Sequence, residues 1–180
     1  AEKAGYEHFM LKEIYEQPKT INDTISPRIK DNDIVIEELN MSDEEIKEIT
    51  KIHIVACGSA YHTGVTAKYV IEGLARIPVE VDVASEFRYR DPILQKGNMV
   101  IVISQSGETA DTLAALRESR ERGFKVLGIV NVVGSSIARE ADSVMYTWAG
   151  PEIAVATTKA YSAQLTALYM LAMKFARVRG

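Results

Sequence analysis

The sequence predicts an α/β fold: a doubly wound parallel sheet of five strands flanked by helices. Two observations support this prediction. Short apolar runs, at 99–103 and 126–130 for example, alternate along the chain with longer segments whose apolar residues recur at helical spacing. A small or polar turn separates each run from the helical pattern after it, which is typical of parallel strands joined by helices.

The N-terminal quarter, residues 1–50, is predicted to form a helical appendage packed on a domain of residues 51–180. A first helix is expected from Gly5 to Gln17, ended by Pro18, and a second from about residue 19 to 25, ended by Pro27. The apolar side of the first helix would consist of Tyr6, Phe9, Met10 and Ile14. Ser42 and Glu45 have the spacing of a capping box, which predicts a short third helix.

From residue 51 onward, five segments have the character of strands: 52–56, 79–83, 99–103, 126–130 and 144–147. The second alternates strictly between apolar and charged residues, which indicates a half-exposed edge strand, whereas the third and fourth are apolar throughout and suit the centre. The simplest strand order is therefore 2-1-3-4-5. In such sheets ligands bind where the order reverses, here between the loops 57–61 and 104–109.

The last helix, expected from about Thr157 to Val178, is apolar on several sides. We expect it to pack on the sheet and also against a missing domain or a second subunit. The segment 84–90 is rich in Arg and Tyr, which favours a solvated surface or a subunit contact over a catalytic role. Both features predict a homodimer.

Composition limits the possible partners and locations. The 180 residues carry a formal net charge of −4, with basic and acidic residues interspersed, so no nucleic-acid partner is expected. A lone Cys57 suggests a reducing, cytoplasmic location. The start of the chain lacks the apolar segment of a signal peptide, and the most apolar segment, 160–176, is interrupted by polar residues and is short for a membrane span. The first residue is Ala1 instead of Met, as expected of a domain excised from a longer protein.

The loop Ser104–Thr109 is the strongest candidate site. It reads Ser-Gln-Ser-Gly-Glu-Thr and stands between a buried strand and a helix, where unpaired backbone N–H groups and the positive end of the helix dipole favour a phosphate. The alternative is a polar turn whose hydroxyls only cap the helix. Neither a Gly-x-Gly-x-x-Gly nor a Walker pattern is present, so a small phosphate ester is favoured over a nucleotide.

Other reactive residues give weaker signals. Cys57 could be a nucleophile, but its position directly after a strand favours a small structural residue. The histidines His8, His53 and His62 are scattered, and no ligand spacing for a metal is found, so we expect neither metal nor cofactor. Residues 152–159 either cap the last helix through Thr157 or Thr158 or contact a ligand, and both interpretations stay open.

Several motifs together carry a family resemblance. They are Ala-Cys-Gly-Ser at 56–59, Ala-Ser-Glu-Phe-Arg-Tyr-Arg at 84–90, Ser-Gln-Ser-Gly-Glu-Thr-Ala-Asp-Thr at 104–112, Ala-Val-Ala-Thr-Thr-Lys-Ala at 154–160 and His-Phe-Met-Leu-Lys-Glu-Ile-Tyr-Glu-Gln-Pro at 8–18. With them the chain resembles, nearly end to end, the first sugar isomerase (SIS) subdomain of the glutamine–fructose-6-phosphate aminotransferase family, also called glucosamine-6-phosphate synthases.

The resemblance implies specific ligand contacts. Ser104, Gln105, Ser106 and Thr109 would hold the phosphate of fructose 6-phosphate or glucosamine 6-phosphate, with Ser59 assisting, and Val155 and Thr157 would contact the sugar. The chain departs from the family where Gly58-Ser59-Ala60 replaces Gly-Thr-Ser, and where Ala154 and Thr157 replace Gly and Ser.

The resemblance also implies which chemistry the chain lacks. Enzymes of this family convert fructose 6-phosphate and glutamine to glucosamine 6-phosphate and glutamate, with acid, base and lysine supplied from outside this subdomain. We therefore predict no catalytic residue here and no turnover by the chain alone. Two alternatives are a noncatalytic phosphosugar sensor that regulates a partner, and a dimerisation module whose hydroxyl loop is only a helix cap.

Overall fold

A computed structural model describes residues 2–180. The N-terminal part contains helices α1 (Phe9–Tyr15) and α2 (Gln17–Ile25), a two-stranded hairpin of β1 (Ile29–Lys30) and β2 (Asp33–Ile34), and α3 (Asp43–Lys47). The remainder consists of β3 (Lys51–Ala56), α4 (Gly58–Ala75), β4 (Val79–Val83), α5 (Ala84–Tyr89), β5 (Asn98–Ser104), α6 (Ala110–Glu121), β6 (Lys125–Val130), α7 (Ser136–Glu140), β7 (Ser143–Tyr146) and α8 (Lys159–Arg179). Short 3₁₀ helices lie at Ser26–Arg28 and Glu37–Leu39.

The five strands of the main sheet are parallel and lie in the order β4-β3-β5-β6-β7. This confirms the predicted order 2-1-3-4-5 and the fold class. β5 is buried along its whole length, whereas β4 lies at the edge and is half-buried, as its alternating sequence predicts. Because β3 lies between β4 and β5, the chain reverses its direction of winding beside β3.

Two apolar layers cover the sheet. On one face, Ile54 and Ile101 pack with buried residues of α4, α8 and segment 36–49. On the other face, Val100 and Val102 pack with residues of α5, α6 and α7. α4 lies close to the sheet at Gly64, where a Cβ atom would come within 2.8 Å of the Ile54 side chain.

The N-terminal segment differs in part from its prediction. The expected helix from Gly5 to Gln17 is shorter and ends at Tyr15, and Pro18 lies in the first turn of α2, where a missing N–H costs nothing. Of the expected apolar side, Met10 and Ile14 are exposed, whereas Glu13 is buried. The capping box of Ser42 and Glu45 is confirmed, but the hairpin was not predicted. The division of the chain at residue 50 stays a prediction.

Other helices of the chain cover most of the last helix. α8 packs against α4, α2 and α3, and ten of its residues are buried. Tyr169 and Met173 remain exposed. The apolar character of α8 therefore does not by itself require a missing domain or a second subunit. Such a contact stays a prediction. Within residues 2–180, no helix has the length and apolar character needed to cross a bilayer.

Candidate functional site

A cavity of about 280 Å³ opens beyond the carboxyl ends of β3 and β5. All seven residues predicted to contact a ligand line it: Ser59, Ser104, Gln105, Ser106, Thr109, Val155 and Thr157. Cys57, Ala60, Ile103, Glu152, Ala154 and Gln164 complete the lining. The cavity lies at the predicted reversal of the sheet because β3 and β5 are neighbours, which brings their two loops together.

The Ser104–Thr109 loop is held by hydrogen bonds among its own residues. The Ser104 hydroxyl accepts from the Gly107 amide at 3.0 Å and lies 2.9 Å from the hydroxyl of Thr109. The amide of Glu108 donates to the Ser106 hydroxyl at 3.2 Å. Gly107 adopts a φ of +68°, which favours glycine. The loop is therefore a tight turn that presents hydroxyls to the cavity.

The segment after β6 fixes this loop from outside. The Ile137 amide donates to the Gly107 carbonyl at 3.0 Å, and the Asn131 amide donates to the Gln105 carbonyl at 3.1 Å. The Ser136 amide donates to the Glu108 carboxylate at 2.8 Å, and hydrogen bonding by Ser136 lowers the pKa of Glu108. These contacts preorganise the loop before any ligand arrives.

The hydroxyls of the loop do not serve as helix caps. Thr109 is the N-cap residue of α6, yet its side chain makes no capping hydrogen bond, and the same holds for Cys57 before α4. Both helices thus begin at the cavity without a side chain on their first-turn amides, which leaves those donors and the helix dipoles available to an anion. This geometry argues against the interpretation of the loop as a cap alone.

The opposite wall is formed by the segment that precedes α8. Glu152 accepts three hydrogen bonds there, from the Thr157 hydroxyl at 2.8 Å, the Thr158 amide at 3.0 Å and the Ala160 amide at 2.9 Å. Of the two interpretations left open for residues 152–159, capping of α8 by Thr157 or Thr158 is not observed, because the Glu152 carboxylate accepts from the Thr158 and Ala160 amides instead. Val155 is fully exposed beside the cavity.

The charge of the cavity wall is unusual for an anion site. Within residues 2–180, the lining of the cavity contains no Lys or Arg, and Glu152 is its one carboxylate. Hydroxyls, the Gln105 and Gln164 amides, and backbone N–H groups are the available donors. Gln164 was missed by sequence reasoning, although a polar residue one turn into an apolar helix is a signal that could have indicated it. The cavity is lined by all four residues that depart from the family pattern, Ser59, Ala60, Ala154 and Thr157.

Three side chains of metal-ligating types form a cluster at the sheet edge. His53, Glu80 and Asp82 place ligand atoms within 4.8 Å of one another. Strand pairing brings them together, which is why spacing in the sequence did not reveal them. Lys51 and Arg90 already form ion pairs with these carboxylates, so the cluster is a neutralised network of charges.

Comparison with known proteins relates the chain to one family and one group of enzymes. Residues 45–174 match the SIS domain family. The chain is 63% identical over 181 residues to the glutamine–fructose-6-phosphate aminotransferase of Clostridium tetani and 56% identical over 180 residues to that of Mycobacterium tuberculosis. Both alignments cover 100% of this chain, but only 30% and 29% of the relatives. The chain thus spans less than a third of the curated relatives.

Solved structures agree with the fold. The C-terminal domain of the glucosamine–fructose-6-phosphate aminotransferase from Francisella tularensis superposes with a TM-score of 0.93 at 45% identity, over 99% of this chain and 50% of that one. The Vibrio vulnificus NanR protein, solved with ManNAc-6P, superposes with a TM-score of 0.69 at 14% identity, over 93% of this chain and 61% of that one. The second likeness concerns the fold alone.

Proposed function

This chain belongs to the SIS domain family, and we propose that it is the first sugar isomerase subdomain of a glutamine–fructose-6-phosphate aminotransferase. Its part in that enzyme is to bind fructose 6-phosphate and glucosamine 6-phosphate. The whole enzyme would convert fructose 6-phosphate and glutamine to glucosamine 6-phosphate and glutamate. Identities of 56–64% to such enzymes favour this function over a noncatalytic sensor of the same fold.

The observation that carries the proposal is the meeting of all seven predicted contact residues at one cavity. Ser104, Ser106 and Thr109 offer hydroxyls to a phosphate, and the start of α6 offers its amides. Ser59 would assist from the start of α4. Val155 and Thr157 form the opposite wall and would contact the sugar carbons and hydroxyls.

Binding without turnover follows from the proton acceptors at the cavity. Isomerisation between C1 and C2 of a sugar needs a general base near the substrate. Glu152 is the carboxylate of the wall, and its oxygens already accept three hydrogen bonds from residues 157–160. It is engaged as a structural acceptor, so we propose that the catalytic groups come from outside this chain.

Calorimetric titration with glucosamine 6-phosphate tests the proposal. The wild-type chain should bind, and Ser106→Asp should abolish binding because it places a carboxylate against the phosphate. Gln95→Asp is the matched control, since it adds the same charge at an exposed position before β5, at the other end of the strand. Absence of binding by the wild type at millimolar ligand, or equal loss in both variants, would contradict the proposal.

A coupled assay tests the absence of turnover. The purified chain should not interconvert fructose 6-phosphate and glucose 6-phosphate. Detectable conversion that Ser106→Asp abolishes would show that a general base lies within the chain and would overturn this part of the proposal.

We also propose a homodimer and a cytoplasmic location. A second copy could cover exposed apolar side chains on α8, in the 84–90 segment and just after it, namely Tyr169, Met173, Tyr89 and Ile93. Sedimentation that gives a monomer at high concentration would contradict the dimer. The free thiol of Cys57, the single cysteine, suits a reducing compartment.

A further inference from the structure

The N-terminal helix α1 touches the wall of the cavity through one buried carboxylate. Glu13 is only 2% exposed. One of its oxygens accepts a hydrogen bond from the Ile153 amide at 2.6 Å, and the Ala154 amide lies 3.3 Å from both oxygens. These two amides directly precede Val155, and Ala154 itself lines the cavity.

A buried carboxylate is costly unless hydrogen bonds compensate for its lost hydration. Within residues 2–180, the hydrogen bonds that Glu13 accepts all come from these two amides. The dependence is mutual, because the two amides would lose their acceptor if the carboxylate were removed. The contact therefore fixes the backbone at residues 153 and 154, although these residues have no regular secondary structure.

Neighbouring contacts extend the connection along the same wall. The buried Lys159 ammonium, at the start of α8, lies 2.6 Å from the Glu16 carboxylate, and this ion pair lowers the pKa of Glu16. The Ser162 hydroxyl lies 2.5 Å from the Gln17 side chain. The segment between Ile153 and Lys159 is thus tied at both ends to residues 13–17, whereas the Ser104–Thr109 loop is fixed by the segment after β6.

We propose that Glu13 is a positioning residue for the sugar-contacting segment 153–157. This inference rests on the proposed function, since it assigns the two walls of the cavity different supports. Glu13 sets the position of Val155 and Thr157, which would contact the sugar, and leaves the phosphate-binding loop unaffected. Affinity for the sugar part of a phosphosugar therefore depends on α1, whereas affinity for phosphate does not.

Two ligands and two variants separate these effects. Glucosamine 6-phosphate and inorganic phosphate are titrated into the chain and followed by the amide resonances of residues 104–109 and 153–157. In Glu13→Ala the affinity for glucosamine 6-phosphate should fall about tenfold, and that for inorganic phosphate should change by less than about twofold. Glu13→Gln keeps one acceptor oxygen and should lose only about threefold. Glu7→Ala is the control, because Glu7 is exposed and lies just before α1.

The outcomes distinguish this inference from the proposed function. Equal loss of both ligands, or no change in either, would overturn the positioning role. If the wild type does not bind glucosamine 6-phosphate at all, the proposed function fails. Hydrogen exchange in the ligand-free chain then decides the inference by itself. The Ile153 and Ala154 amides should exchange faster in Glu13→Ala than in the wild type, and unchanged exchange would overturn it.

Discussion

A Cβ atom on Gly107 would lie 2.0 Å from the hydroxyl oxygen of Ser135. No side chain is tolerated at that distance, and the φ of +68° at Gly107 is itself unfavourable for other residues. The turn of the Ser104–Thr109 loop is therefore possible only because one residue lacks a side chain where the loop meets the segment before α7.

Gly107→Ala should destabilise the chain by about 2–3 kcal/mol and weaken glucosamine 6-phosphate binding at least about tenfold. The steric part should be recovered by adding Ser135→Gly, which removes the obstructing atoms. Gly73→Ala is the control, since Gly73 lies in α4 with open space around its Cβ position. Urea denaturation and calorimetry measure both effects, and a Gly107→Ala variant as stable and as competent as Gly73→Ala would contradict the prediction.

Glu152→Ala should lower the free energy of unfolding by about 1–2 kcal/mol, because the first amides of α8 lose their capping acceptor. It should also weaken glucosamine 6-phosphate binding, since the Thr157 hydroxyl is no longer held by the carboxylate. Chemical denaturation and titration of this variant should be compared with Glu121→Ala, an exposed glutamate at the end of α6. Equal stabilities of the two variants would show that Glu152 is not the cap.

The stability of the chain should fall as the pH decreases below about 6.5, the ordinary pKa of histidine. Burial lowers the pKa of His53, whose ring lies 3.1 Å from the Asn98 side chain. In that range the unfolded chain binds a proton that the folded chain does not, so stability is fully present at higher pH and decreases toward the folded pKa, by at most about 1.4 kcal/mol per pH unit.

His53→Gln should remove this part of the pH dependence, because glutamine does not titrate and can still hydrogen-bond to Asn98. Urea denaturation at pH values on both sides of the histidine pKa measures it. His62→Gln is the control at an exposed position. If the free energy of unfolding of His53→Gln varies with pH as steeply as that of the wild type, the pH dependence belongs to other groups.

The features that could be predicted are those that local periodicity determines. The alternation of residues 79–83 indicated an edge strand and so the strand order, and that order placed the loops after β3 and β5 side by side. The place of the Ser104–Thr109 loop at the cavity followed from its position between a buried strand and a helix. These inferences need no knowledge of distant contacts.

The features that could not be predicted depend on contacts between distant parts of the chain. Glu13 meets Ile153 across 140 residues, and an isolated helix pattern with apolar residues on one side gives no reason to bury its glutamate. The His53 cluster at the sheet edge likewise requires the pairing of β3 with β4. The capping of α8 by Glu152 requires an irregular segment to fold back on the helix, which residue preferences do not determine.

The cavity lining within residues 2–180 contains no lysine or arginine, which limits the long-range attraction of a charged ligand. A ring of cations attracts anions over long distances, and dissolved ions weaken this attraction. In this cavity, by contrast, neutral hydrogen-bond donors act on a ligand only at hydrogen-bonding distance. Affinity for glucosamine 6-phosphate should therefore vary by less than about threefold when the ionic strength rises about tenfold. Recognition would then depend on the shape of the ligand instead of its total charge, and polyanions that carry more charge should gain no advantage.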